Sequence, residues 1–126
     1  MTAVEAISAF RAFGGTVFWI APGLTARAYA SDEPGDRLTA RLAGVRETAL
    51  AVGPLLSEGA DRRRWLRLGL ACDVADAVAT VIGRRRGDLS PVTTALCFAT
   101  YAVSGLLTTS ALRSVSGPDA VGEEMR

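Results

Sequence analysis

Apolar residues are grouped into four segments that are separated by short polar loops. The segments cover residues 4–20, 37–56, 65–83 and 90–112, and charged residues, glycine and proline concentrate between them. Each segment is long enough for a helix, and short connections join antiparallel neighbours. Pro91 suits the first turn of the fourth helix. The pattern predicts an all-α fold in which an antiparallel four-helix transmembrane bundle occupies residues 1–113 and a polar, flexible tail occupies residues 114–126.

The distribution of charge favours a membrane rather than water around this bundle. No charged residue occurs between Leu89 and Leu112, and none occurs between Ala12 and Ala26. Helices of that length on a soluble protein carry a charged stripe, whereas a membrane span needs about 20 mostly apolar residues. Arginines instead cluster at segment ends, at Arg62, Arg63, Arg64, Arg84, Arg85, Arg86 and Arg113. We therefore predict a multi-pass protein of the cell membrane, with the lipid bilayer as its partner.

Two alternatives stay open for these segments. The first is a soluble four-helix bundle, because the second and third segments contain internal charges. The second is a cleaved signal peptide, since Ala28-Tyr29-Ala30 has the small-x-small form of a cleavage site. Glu5 in the leading region and the late start of the apolar run argue against cleavage. Arginines balance between the two ends of the bundle, so the sequence predicts no orientation.

Four charged residues inside the second and third segments are the candidate site. Asp73 and Asp76 are three residues apart and share one helix face, and Arg46 and Glu47 lie on the preceding segment. At about 1.5 Å of rise per residue, these positions lie at similar depth in an antiparallel pair. We therefore predict a buried cluster in which Arg46 forks between Asp73 and Asp76.

This cluster has three interpretations. In the structural interpretation, the paired charges hold the helices in register or bind a partner. An enzymatic one uses Asp73 and Asp76 as general acid and base, with one proton held between them. Arg46 would orient them, and Glu47 would be a spare base. The substrate would then be apolar, such as an isoprenoid, an epoxide or a lipid-like metabolite. The third interpretation is a small proton or ion carrier, which would need a homo-oligomer at this chain length.

Composition excludes several classes of chemistry. The formal net charge of +1 argues against a nucleic-acid partner. The chain has no His, and every basic residue is Arg, which excludes imidazole catalysis, Schiff-base lysines and most zinc sites. Cys72 and Cys97 lie in separate apolar segments, so no paired-cysteine motif exists. No glycine-rich phosphate-binding motif is present either. We predict neither a cofactor nor a metal.

The second and third segments also resemble a known group. The stretch from Arg41 to Glu47 reads R-L-A-G-V-R-E, and Asp73-Val74-Ala75-Asp76 reads D-x-x-D. Both resemble stretches of small actinobacterial four-helix integral membrane proteins of unknown function, the DUF4267-like group, in which a proline such as Pro22 near the end of the first helix is usual. The resemblance covers most of residues 10–112. It implies a four-helix membrane protein whose hallmark is Arg46, Glu47, Asp73 and Asp76, and it implies no activity.

Overall fold

The computed structural model describes residues 1–29 and 34–117, without the side chains of residues 34 and 35. In this part of the chain every regular element is an α-helix, as predicted. There are five helices rather than four: α1 (Ala3–Ile20), α2 (Pro22–Tyr29), α3 (Pro34–Leu55), α4 (Gly59–Arg86) and α5 (Pro91–Ser114). The extra helix α2 follows Ala21, directly after α1. The last residues of the predicted tail, 118–126, lie outside the described residues.

Local sequence signals account for several helix ends. Thr2 caps α1 through a capping box, in which its hydroxyl accepts from the Glu5 backbone N–H and the Glu5 carboxylate accepts from the Thr2 backbone N–H. Ser90 caps α5 by accepting from the backbone N–H of Thr93. Gly87 ends α4 in the left-handed region, with φ of 85°, where glycine avoids the cost of a Cβ.

The four long helices pack in a ring of neighbours. α1 packs against α3 and α5, α4 also packs against α3 and α5, and consecutive long helices run antiparallel. The short helix α2 lies at one end of this ring, against α1, α3 and α5. At the opposite end, Arg62 closes the turn between α3 and α4, because its Nε donates to the carbonyl oxygens of Pro54 and Ser57.

The contact between α1 and α3 depends on two glycines that face each other. A Cβ on Gly15 would lie 2.8 Å from the carbonyl oxygen of Gly44, and a Cβ on Gly44 would lie 2.8 Å from the carbonyl oxygen of Gly15. These distances leave no room for a methyl group against backbone. The two backbones therefore meet directly, as in helix pairs whose interfaces consist of small residues.

Both apolar and polar side chains are buried inside this fold, and many large apolar side chains are exposed. In the part of the chain that the structure describes, eight polar or charged residues are buried: Ser8, Arg11, Thr25, Asp73, Thr80, Thr93, Ser104 and Thr108. Large apolar residues are exposed on all five helices, among them Phe13, Leu24, Leu42, Val74, Val78, Phe98 and Leu106. Buried polar side chains together with so much exposed apolar surface are unusual for a soluble domain.

Two of the helices are long and apolar enough to cross a membrane by length and composition. They are α1 and α5, whose most apolar windows have mean hydropathies of 1.2 and 1.5. Helices α3 and α4 do not meet the same criterion, because charged residues lower their mean hydropathy. Hydropathy alone therefore supports two spans and leaves the predicted four-span arrangement unconfirmed.

Candidate functional site

Arg11 of α1 lies at the centre of the site. Its guanidinium is 3% exposed, and it donates from Nη1 to Oε2 of Glu47 at 2.6 Å and from Nη2 to Oδ2 of Asp73 at 2.7 Å. Ser104 of α5 donates to the same Oδ2 of Asp73 at 2.8 Å. One residue from each long helix therefore takes part in this hydrogen-bonded group, and each lies near the middle of its helix.

Arg46 extends the group toward the surface, and the prediction that the whole cluster is buried is wrong for Arg46, whose side chain is 41% exposed. It donates to both carboxylate oxygens of Asp76 and, at 3.2 Å, to Oε1 of Glu47. Glu47 is thus shared by two guanidinium groups. The result is a linear array of alternating charge in the order Asp73, Arg11, Glu47, Arg46, Asp76, which we call the ion-pair chain.

The predicted fork of Arg46 between Asp73 and Asp76 is wrong for Asp73. Arg46 binds Asp76 as predicted, but the partner of Asp73 is Arg11. The two aspartates share a helix face, yet each has its own guanidinium, so they do not form a carboxylate dyad. Arg11 was missed because only the charged residues inside the second and third segments were considered as candidates. Its signal was present: a charge at the middle of an apolar helix needs a buried partner.

Gly69 of α4 makes room for the Arg11 side chain. A Cβ at position 69 would lie 3.1 Å from Nη2 of Arg11, which is tighter than ordinary van der Waals contact. The guanidinium therefore passes over a helix surface that has no side chain at that point.

We expect a Gly69→Ala substitution to destabilise the protein by about 1–2 kcal/mol, because the methyl group would push Arg11 away from Asp73. Gly105→Ala is the matched control, since a Cβ at Gly105 has no neighbour within 4 Å. The measurement is the thermal unfolding midpoint of each variant. Equal midpoints for the two variants would contradict the role assigned to Gly69.

A cavity of about 690 Å³ begins at the ion-pair chain and extends toward α2. Every member of the ion-pair chain lines it, and the remaining wall is mainly apolar and aromatic, including Phe10, Phe13, Val17, Phe18 and Leu89. The volume lies within the range of sites that enclose small organic ligands. The site is therefore a largely apolar chamber whose lining includes the whole ion-pair chain and two further carboxylates, Asp36 and Asp88.

Two tyrosines contribute hydroxyl groups to the chamber. Tyr29 of α2 is hydrogen-bonded through its hydroxyl to Thr100 at 3.0 Å, and its ring lies 5.4 Å from that of Phe18. Tyr101 of α5 lies within hydrogen-bond distance of Thr80, at 3.3 Å. Helix α2 thus closes one end of the chamber, and α5 supplies polar groups along its wall.

The site contains carboxylate, guanidinium and hydroxyl groups. In the described part of the chain, no group of three or more His, Cys, Asp or Glu side chains is placed to hold a metal ion. Cys97 is buried and Cys72 is half-buried, and both are free thiols on different helices. Three carboxylates and two guanidinium groups make up the ion-pair chain, so acids outnumber bases by one.

Comparison with known proteins gives no independent assignment. No protein-family model matches the sequence, and neither a curated protein nor a solved structure is significantly similar to it.

Proposed function

We propose that this chain is a multi-pass protein of the cell membrane whose four long helices form a transmembrane bundle around a binding chamber for an apolar small molecule. The observation that carries this proposal is the combination of buried charges on α1 and α4 with large exposed apolar side chains on every described helix. In water such a surface would aggregate, and in a bilayer it is the expected surface.

Helix α4 illustrates how charged spans are compatible with this proposal. Its most exposed residues between Arg67 and Arg84 are Leu68, Ala71, Val74, Ala75, Val78, Ala79, Val81 and Ile82. The interval between the two arginines corresponds to about 25 Å along a helix, close to the thickness of the hydrocarbon layer once arginine side chains extend to its edges. Asp73 and Asp76 reduce the mean hydropathy of α4, but they point into the bundle. Glu47 of α3 also faces the bundle, whereas Arg46 is 41% exposed and reaches the surface of the bundle.

Cysteine labelling tests the membrane assignment. Val78 is 55% exposed and Ala60 is also exposed, so both positions would react with a soluble maleimide if water surrounded the whole bundle. In a variant with Cys72 and Cys97 replaced by alanine, we expect Ala60→Cys to react in native membranes and Val78→Cys to stay unlabelled until detergent and denaturant are added. Equal labelling of the two cysteines without denaturant would contradict a lipid-facing surface.

A ligand test uses two glycines that differ in their position relative to the chamber. A Cβ at Gly14 or at Gly105 meets nothing within 4 Å, but Gly14 lines the chamber and Gly105 does not. We expect Gly14→Leu to occupy the chamber and to reduce the amount of a co-purifying small molecule at least tenfold, measured by mass spectrometry of solvent extracts. Gly105→Leu should retain it. Equal loss in the two variants, or no specific molecule with the unsubstituted protein, would contradict the binding function.

An enzymatic role is the second candidate, and the contact of Asp73 and Asp76 with the chamber favours it. Either carboxyl group could then act as general acid or base on an isoprenoid, an epoxide or another lipid-like substrate, with Arg11 and Arg46 orienting the pair. In a producing host, Asp76→Asn that remains folded should cause a metabolite to accumulate if the protein is an enzyme, and should leave the metabolite profile unchanged if it only binds.

We also propose membership of the DUF4267-like group, on the residues Arg46, Glu47, Asp73 and Asp76.

A further inference from the structure

The carboxylate oxygens of the ion-pair chain differ in their hydrogen bonding. Both oxygens of Glu47 accept from arginine, Oε2 from Arg11 and Oε1 from Arg46. Both oxygens of Asp76 accept from Arg46. Asp73 is different, because Arg11 and Ser104 both donate to its Oδ2. Among the described residues no donor reaches its Oδ1, although the Asp73 side chain is only 8% exposed.

The charge of the ion-pair chain is unbalanced by one unit. Three carboxylates against two guanidinium groups leave one excess negative charge if every acid is ionised. The proposed membrane location makes an excess charge at this depth unfavourable, whereas a proton on one carboxylate makes the chain neutral. Two of the three carboxylates already use both oxygens as acceptors, and a proton on either would displace an arginine contact.

We propose that Asp73 carries this proton on Oδ1 as a neutral acid and donates a hydrogen bond to a neutral acceptor oxygen of the molecule in the chamber. The inference rests on the membrane assignment above, and it defines the ligand class: an apolar molecule with an ether, epoxide or carbonyl oxygen, and not an anion. Asp73 lines the chamber, so a proton on Oδ1 can reach the ligand, and no acceptor among residues 1–29 and 34–117 is hydrogen-bonded to that oxygen.

The groups that face Asp73 are consistent with a neutral acid at this position. Arg11 of α1 already has an ionised partner in Glu47 of α3, and Arg46 balances Asp76. From α5, Ser104 contributes a hydroxyl, and Cys97 and Tyr101 line the same chamber. The neutral form keeps both hydrogen bonds to Oδ2, because a protonated carboxyl group still accepts at its carbonyl oxygen.

Infrared difference spectroscopy on the full chain in lipid nanodiscs tests the proton directly. The expected result is a carbonyl stretch of a protonated carboxylic acid at neutral pH that disappears in Asp73→Asn. Asp88→Asn is the matched control, because Asp88 also lines the chamber but lies outside the ion-pair chain; its spectrum should keep the band. The proposal is overturned if the unsubstituted protein lacks the band or if the band survives in Asp73→Asn.

The ligand class is tested with two probes, dodecyl methyl ether and the linear alkane of the same length, in which a methylene group replaces the ether oxygen. The ether accepts a hydrogen bond but cannot donate one, so it gains from a protonated Asp73 and not from an ionised one. We expect the ether to bind about fivefold more tightly than the alkane. Asp73→Asn should keep this preference, because the amide also donates, and Asp73→Leu should abolish it. Equal affinities in the unsubstituted protein would overturn the assignment.

The two proposals fail in different ways. Water-accessible Val78→Cys would refute the membrane assignment itself. A lipid-protected Val78→Cys together with a missing carboxylic acid band would refute only the proton on Asp73.

Discussion

Replacing Arg11 with glutamine is expected to destabilise the protein by about 3 kcal/mol or more, the range found when one partner of a buried ion pair is removed. Arg11 is 3% exposed and contacts Glu47 and Asp73, which lie on two other helices. Without the guanidinium, Glu47 would lose one of its two cationic partners and Asp73 would lose a donor to its Oδ2. We expect the variant to accumulate poorly in membranes and to unfold at a much lower denaturant concentration.

The control for this substitution is Arg67→Gln. Arg67 is exposed on α4, where the loss of a charge costs little, typically under about 0.5 kcal/mol. A double variant, Arg11→Gln with Glu47→Gln, should be more stable than the sum of the two single effects indicates, because it removes both members of one pair. If Arg11→Gln were as stable as Arg67→Gln, the ion-pair chain would not be holding the helices together.

A methyl group at Gly15 is expected to have the second large effect, a loss of about 2–3 kcal/mol. A Cβ at this position would lie 2.6 Å from Oγ1 of Thr48 and 2.8 Å from the carbonyl oxygen of Gly44. Thr48 could rotate, but the Gly44 backbone cannot move without separating α1 from α3. That separation would also pull Arg11 away from Glu47, which lies one turn from Gly44 on the same helix.

The adjacent residue supplies a sharp control. A Cβ at Gly14 has no neighbour within 4 Å, so Gly14→Ala should leave stability unchanged or raise it by up to about 1 kcal/mol through better helix propensity. Both variants are measured by thermal unfolding in the same detergent. Similar losses from Gly14→Ala and Gly15→Ala would show that the close approach of α1 and α3 is not what position 15 provides.

The helical nature of the chain was accessible from sequence because it depends on local signals. Long apolar segments, the Thr2 and Glu5 capping box, Ser90 before Pro91 and the terminating Gly87 each act within a few residues. The start of α4 was harder to predict from the sequence. The charged residues from Gly59 to Arg64 look like a loop in a hydropathy pattern, but the structure includes them in the helix.

Only part of the candidate site could be predicted from the sequence, because spacing along a helix does not determine the contacts between helices. The spacing of Asp73 and Asp76 along one helix shows that they share a face. The number of residues that separates them and Arg46 from the connecting loop shows that Arg46 lies at a similar depth. Which guanidinium reaches which carboxylate depends on helix rotation and on the distance between helices. Gly15, Gly44 and Gly69 set these quantities where backbones and the Arg11 side chain pass close to one another.

Sequence by itself therefore determined the all-α class, the approximate extent of the long helices and the presence of charges that need buried partners. Tertiary structure alone decided that Arg11 pairs with Asp73 and Glu47, that α2 lines one end of the chamber, and that no donor among the described residues reaches Oδ1 of Asp73. The reason is the separation along the chain over which each kind of interaction acts. Helix formation and capping act over one or two turns, whereas ion pairs between residues as far apart as 11 and 73 exist only after four helices have packed around them.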